Sequence, residues 1–139
     1  MSKGPRLLSA LLCCEDERVQ QALERAGMRT LPGLTAGEAL RTLEKEPLDV
    51  VISDVGTDPR TLELINALPG HHRRRLFVLL LGSGYRTGDR MQAWRESVNL
   101  IMNPDDLDDL QDWLRERMDE ETVFYAPLRN AGDELRPSL

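Results

Sequence analysis

The side chains able to do chemistry cluster at a few places in this chain. Glu15, Asp16 and Glu17 close an early apolar run, and Asp54 follows the segment LDVVIS. Hard carboxylate oxygens grouped in this way suit Mg²⁺, and a carboxylate beside such a cation can take up a phosphoryl group. Glu15 and Asp16 are the candidate cation ligands, and Asp54 is the candidate acceptor. The ordinary alternative is that Asp16 and Glu17 stabilise the amino end of a helix while Asp54 is a solvated strand-end aspartate. Gly82-Ser83-Gly84 could offer backbone N–H groups to a phosphate, but it lacks the wider glycine pattern of nucleotide-binding loops and reads as a flexible loop. His71-His72-Arg73-Arg74-Arg75 is a basic run without interleaved aromatics, which reads as a solvated loop. Its histidines have no further ligands at zinc-binding spacing.

Positioning these groups falls to a chain of 139 residues, 40% hydrophobic, 30% charged and 4% aromatic, with a net charge of −6. That length fits one domain with a real core. No run approaches the roughly 20 apolar residues of a membrane helix, and the acidic total speaks against nucleic acid as a partner. The charge is uneven. Residues 71–95 hold six basic and one acidic side chains, and residues 105–121 hold two basic and nine acidic ones. A +5 segment therefore precedes a −7 segment. Met1 to Arg6 followed by Leu7 to Cys14 faintly resembles an export signal, but Leu12 spoils the cleavage pattern before Cys13. Cys13 and Cys14 are expected on opposite faces of a buried strand, behaving as small apolar side chains in a cytoplasmic protein.

Five strand–helix repeats follow from the hydrophobic pattern. Leu7 to Cys14, Leu48 to Ser53, Leu76 to Leu81 and Val98 to Met102 are short apolar strands, and Met28 to Leu34, broken by Pro32 and Gly33, reads as an edge strand. Val19, Ala22, Leu23 and Ala26 mark a helix ended by Gly27, and Thr35 with Glu38 forms a capping box for the next, running to about Lys45. Pro59 opens a helix to Leu68, and Gly88 to Glu96 forms a short one with Met91 and Trp94 on one side. Leu107, Leu110, Leu114 and Met118 stripe a last helix from Asp105 to about Glu120, its first turn acidic. Alternating β and α with buried strands gives an α/β fold, a single five-stranded parallel sheet wound on both sides, flavodoxin-like, over residues 1–121, with 122–139 as an extension. In such sheets the functional crevice lies at the carboxyl ends of the strands, where Glu15, Asp16, Asp54, Ser83 and Asn103 all fall.

On these residues the chain resembles the receiver domain of bacterial two-component response regulators. LLCCEDE resembles that family's first strand and acidic pair, LDVVISD its third strand and phospho-accepting aspartate, and Asn103-Pro104 stands at its Lys-Pro pair. The departures fall on the relay. The family's lysine is here Asn103, its hydroxyl position falls near Gly82 with Ser83 adjacent, and its switch aromatic falls near Leu100. The resemblance thus implies an atypical, pseudo-receiver module that acts by protein–protein interaction without phosphorylation switching, needs no cofactor and is not an enzyme. It also implies dimerisation through the last two helices, with Trp94, Trp113, Arg90, Asp109 and Asp112 as interface candidates. The alternative is a working phospho-receiver, in which a histidine kinase supplies the phosphoryl group to Asp54 with Mg²⁺ at Glu15 and Asp16. A small flavodoxin-like enzyme or nucleotide binder is a third reading, resting on topology alone.

Overall fold

The structure is a computed structural model that describes residues 8–56 and 59–121. The basic leader and the 122–139 extension lie outside the described residues. Strands β1 (Ser9–Cys13), β2 (Arg29–Pro32), β3 (Val50–Asp54), β4 (Phe77–Leu81) and β5 (Leu100–Met102) form one sheet in the order β2-β1-β3-β4-β5, with every pair parallel. This is the flavodoxin-like, doubly wound arrangement. Its β1, β3, β4 and β5 are buried apart from the half-buried Asp54, as strands covered on both faces must be, whereas β2 is the half-exposed edge where Pro32 needs no donor.

Among the described residues six α-helices flank the sheet: α1 (Glu17–Arg25), α2 (Ala36–Lys45), α3 (Pro59–Asn66), α4 (Gly70–Arg73), α5 (Arg90–Glu96) and α6 (110–121). Side chains alternate strictly between two cores. Ala10, Leu12 and Cys14 join Val19 and Leu23 of α1 with Leu110 and Leu114 of α6. Leu11 and Cys13 join Ala39 of α2, Ile65 of α3 and Ala93 of α5 on the other face. Cys13 and Cys14 thus part to opposite sides as the strand period requires, and both are free and buried. Desolvation pushes the Cys13 thiol up to about 12 and the Cys14 thiol up to about 11.

The capping box forms in a stretched version. Thr35 Oγ1 accepts from the Glu38 N–H at 3.1 Å, while the Glu38 carboxylate accepts from Leu34, one residue before the cap. Two expectations change. The His-Arg run is not an open loop, because Gly70–Arg73 coils into the one-turn helix α4 and Arg73 ties it to the carbonyls of Leu76 and Ser97. The last helix does not start at Asp105: Pro104–Asp109 is a 3₁₀ segment, with Asp106 off helical geometry at φ −101°, and the α-helix begins at 110. Asn103 caps that segment through Asp105 N–H, and its tighter turn carries four of the six aspartates of the acidic stretch. Among the described residues no helix is long and apolar enough to cross a membrane.

Candidate functional site

β1 and β3 are neighbours with Cys13 opposite Ser53, so the next step along each strand sets Cys14 beside Asp54 at the carboxyl edge of the sheet. The sheet therefore brings the first acidic residues and Asp54 to one corner, and both Asp16 and Asp54 act electrostatically on the Cys14 thiol. Within that corner each carboxylate has a local duty. Asp16 is the N-cap of α1: its Oδ1 accepts from Arg18 N–H at 2.9 Å and from Arg18 Nε at 3.1 Å, and its Oδ2 accepts from Arg18 Nη2 at 2.7 Å. The guanidinium beside it holds the Asp16 carboxyl below the usual carboxylate range. Asp54 is half-buried, and its Oδ1 accepts from Gly56 N–H at 2.6 Å, closing a turn after β3. Glu15 is exposed.

As Mg²⁺ donors these residues fit poorly as they stand. Both Asp16 oxygens face a guanidinium, one Asp54 oxygen is taken by an amide, and among the described residues no group of three His, Cys, Asp or Glu is gathered to hold a metal ion. Octahedral Mg²⁺ needs at least one carboxylate free to approach it closely.

The loop between β4 and α5 explains the other departures. Gly82 is buried, and a Cβ there would lie 2.6 Å from the Tyr85 ring, so the ring occupies the room a serine or threonine side chain would need. Ser83 is exposed, and its carbonyl rather than its hydroxyl makes the contact with Asn103. Asn103 Nδ2 donates to the carbonyls of Ser83 at 3.1 Å and Tyr85 at 2.8 Å, while its Oδ1 accepts from Asp105 N–H at 2.9 Å. Both amide hydrogens and the amide oxygen are thus occupied. Asn103 N–H donates to Thr87 Oγ1 at 2.9 Å, and Thr87 in turn donates to Asp106 Oδ2 at 2.5 Å. Leu100, at the family's aromatic position, is fully buried between the layers.

The interface candidates divide. Trp94 is 79% exposed and Met91 60% exposed, side by side on α5. Trp113 instead turns inward: its ring packs on Gly88, whose φ of +83° and missing side chain make the room, and the Arg117 guanidinium stands 6.0 Å over it. Arg90 reaches Glu120 at 2.7 Å within the same chain, Asp112 pairs with Arg115 on its own helix at 3.0 Å, and Asp109 is exposed at the end of the 3₁₀ segment.

Sequence reasoning passes over Arg18, Tyr85, Thr87 and Arg117. Arg117 is 8% exposed and donates to the carbonyls of Gly88 and Asn99, tying α6 to the start of α5 and to β5. Its place one helical turn after Trp113 is the only available signal, and the acidic stretch around it masks that signal.

No family model and no curated protein matches the sequence. Solved structures do match by fold. A response regulator from Thermotoga maritima aligns with TM-score 0.64 at 20% identity over 82% of this chain and 99% of that one. A CheY-like receiver domain protein from Methanospirillum hungatei JF-1 aligns with TM-score 0.62 at 21% identity over 83% and 96%. NtrX from Brucella abortus aligns with TM-score 0.67 at 18% identity over 94% of this chain and 29% of its own. The fold is that of response-regulator receiver domains.

Proposed function

We propose that this chain is a receiver-fold regulatory module that works by binding protein and has no phosphoryl-driven switch. It is a binding module rather than an enzyme, and its two buried free thiols suit the cytoplasm, a reducing compartment. One observation carries the reading. Asn103, at the place where the family has the lysine that reads the phosphoryl group, has every side-chain hydrogen-bonding group engaged, Nδ2 in holding the β4–α5 loop and Oδ1 in capping the 3₁₀ segment. Gly82 beneath the Tyr85 ring points the same way, because position 82 itself offers no hydroxyl to draw toward Asp54. The exposed pair Trp94 and Met91 supplies an apolar contact surface, and a second copy of the chain or a protein partner docking through α5 and α6 is the module's output.

The competing reading is a working phospho-receiver served by a histidine kinase, with Mg²⁺ at Glu15 and Asp16. The position of Asp54 favours it, half-buried at the carboxyl end of β3 with Oδ2 unpartnered among the described residues. Titration with beryllium fluoride and Mg²⁺, followed by amide NMR, separates the two. The proposal expects beryllium fluoride to add no shift at Asp54, Ser83 and Asn103 beyond any that Mg²⁺ alone produces. Saturable shifts centred on Asp54 and spreading to the β4–α5 loop would overturn it in favour of the phospho-receiver.

A further inference from the structure

We propose that Arg18 is the resident cation of the acidic corner, filling with a guanidinium the electrostatic place that a divalent ion would otherwise take at Asp16. This rests on reading the module as one without a phosphoryl switch. Capping α1 needs a single oxygen of Asp16, and the Arg18 amide already uses it at 2.9 Å. The side chain goes further. Nε and Nη2 clasp both carboxylate oxygens, at 3.1 and 2.7 Å, in the planar fork that arginine makes and lysine cannot. Arg18 also feels Asp105 and Asp108 across the gap between α1 and the 3₁₀ segment, so acidic groups from two elements converge on one cation.

The consequence concerns competition. A magnesium ion sheds water reluctantly and is held through one or two carboxylates. Here the first of them is already ion-paired and hydrogen-bonded on both oxygens. Arginine stays charged at every physiological pH, so the pair does not open by titration of the guanidinium. Because the Arg18 side chain is 57% exposed, the pair is a modest barrier and not an absolute one. Removing it therefore tightens Mg²⁺ binding by about two- to fivefold and not by thousands.

The test titrates the full chain and its Arg18→Gln variant with magnesium chloride alone, following the amides of Glu15, Asp16, Arg18, Asp54 and Gly56. A well-dispersed spectrum of Arg18→Gln without Mg²⁺ shows that it is folded, and Arg18→Lys serves as a second variant that keeps the charge without the fork. The expected result is saturation of Arg18→Gln at about one-half to one-fifth of the Mg²⁺ concentration needed by the natural chain, with Arg18→Lys in between. Equal midpoints for the natural chain and Arg18→Gln overturn the proposal. So does an Arg18→Gln variant that binds no Mg²⁺, and neither of these touches the reading of Asn103. A beryllium fluoride response at Asp54 in the natural chain overturns that underlying reading instead, so the two failures are told apart.

Discussion

Position 82 shows how one neighbour decides a side chain. With the Tyr85 ring 2.6 Å from where a Cβ would stand, Gly82→Ser must push the ring aside, and overpacking of this kind costs about 1–3 kcal/mol. Urea denaturation of Gly82→Ser, Tyr85→Ala and the double variant checks this. The serine is expected to be clearly destabilising in the natural chain and close to neutral once the ring is gone. A second residue carries a pH signature. Glu121 is half-buried at the end of α6, accepts from Asn99 Nδ2 at 2.7 Å, and burial raises its carboxyl above the ordinary value of 4.5. An acid whose folded pKa lies above its unfolded one disfavours the folded state once ionised. The cost is absent below the unfolded pKa and grows as pH rises through the folded one. Glu121→Gln is therefore expected to melt with the natural chain at about pH 3.5 and above it at about pH 7. Identical melting at both pH values would show that Asn99 fully offsets the burial.

Two glycines at element ends separate backbone strain from crowding. Gly27 ends α1 at φ +84° with nothing within 4 Å of where a Cβ would stand, while Gly88 precedes α5 at φ +83° with the Trp113 ring 2.7 Å from that point. Gly27→Ala is expected to cost about 1 kcal/mol from backbone conformation alone. Gly88→Ala is expected to cost about 1–3 kcal/mol more, and thermal denaturation of the two variants measures the difference. The same ends of elements show what the sequence discloses. Continuous apolar runs locate the four buried strands, Pro32 marks the edge, Thr35 with Glu38 marks a helix start, and Pro59 opens α3. Those signals are local, and local physics decides them. Helix α4 escapes such reading because Gly70–Arg73 has no apolar period and is fixed instead by Arg73 reaching Ser97, 24 residues away. The 3₁₀ segment reads as a helical first turn because four aspartates favour a helix start of either kind. At the candidate site the absence of the family's lysine is plain in Asn103. Its actual work is not, since the Ser83 and Tyr85 carbonyls it holds lie 20 and 18 residues earlier.

Over the whole molecule the total of −6 resolves into faces. Arg90 of the basic segment meets Glu120 of the acidic one inside a single chain, so part of the expected charge complementarity is satisfied within the fold. Among the exposed side chains of α5, Trp94 and Met91 are the apolar ones, beside Arg90 and Arg95. If the module's output is a second copy, light scattering is expected to find a dimer, and Trp94→Ala is expected to weaken it by about thirtyfold or more, the effect of losing a tryptophan anchor. Trp113→Ala would act differently, lowering stability, because that ring is packed against Gly88 and Arg117. A monomeric natural chain at every concentration removes the second copy and leaves a different protein as the partner. The neighbouring cysteines offer a way to watch this scaffold breathe. Cys13 belongs to the layer under α2, α3 and α5, and Cys14 to the layer under α1 and α6. Each thiol is shut off from water and protonated at neutral pH, so an alkylating reagent meets it only when its own layer lifts. Two adjacent residues thus serve as separate clocks for the opening of the two sides of one sheet.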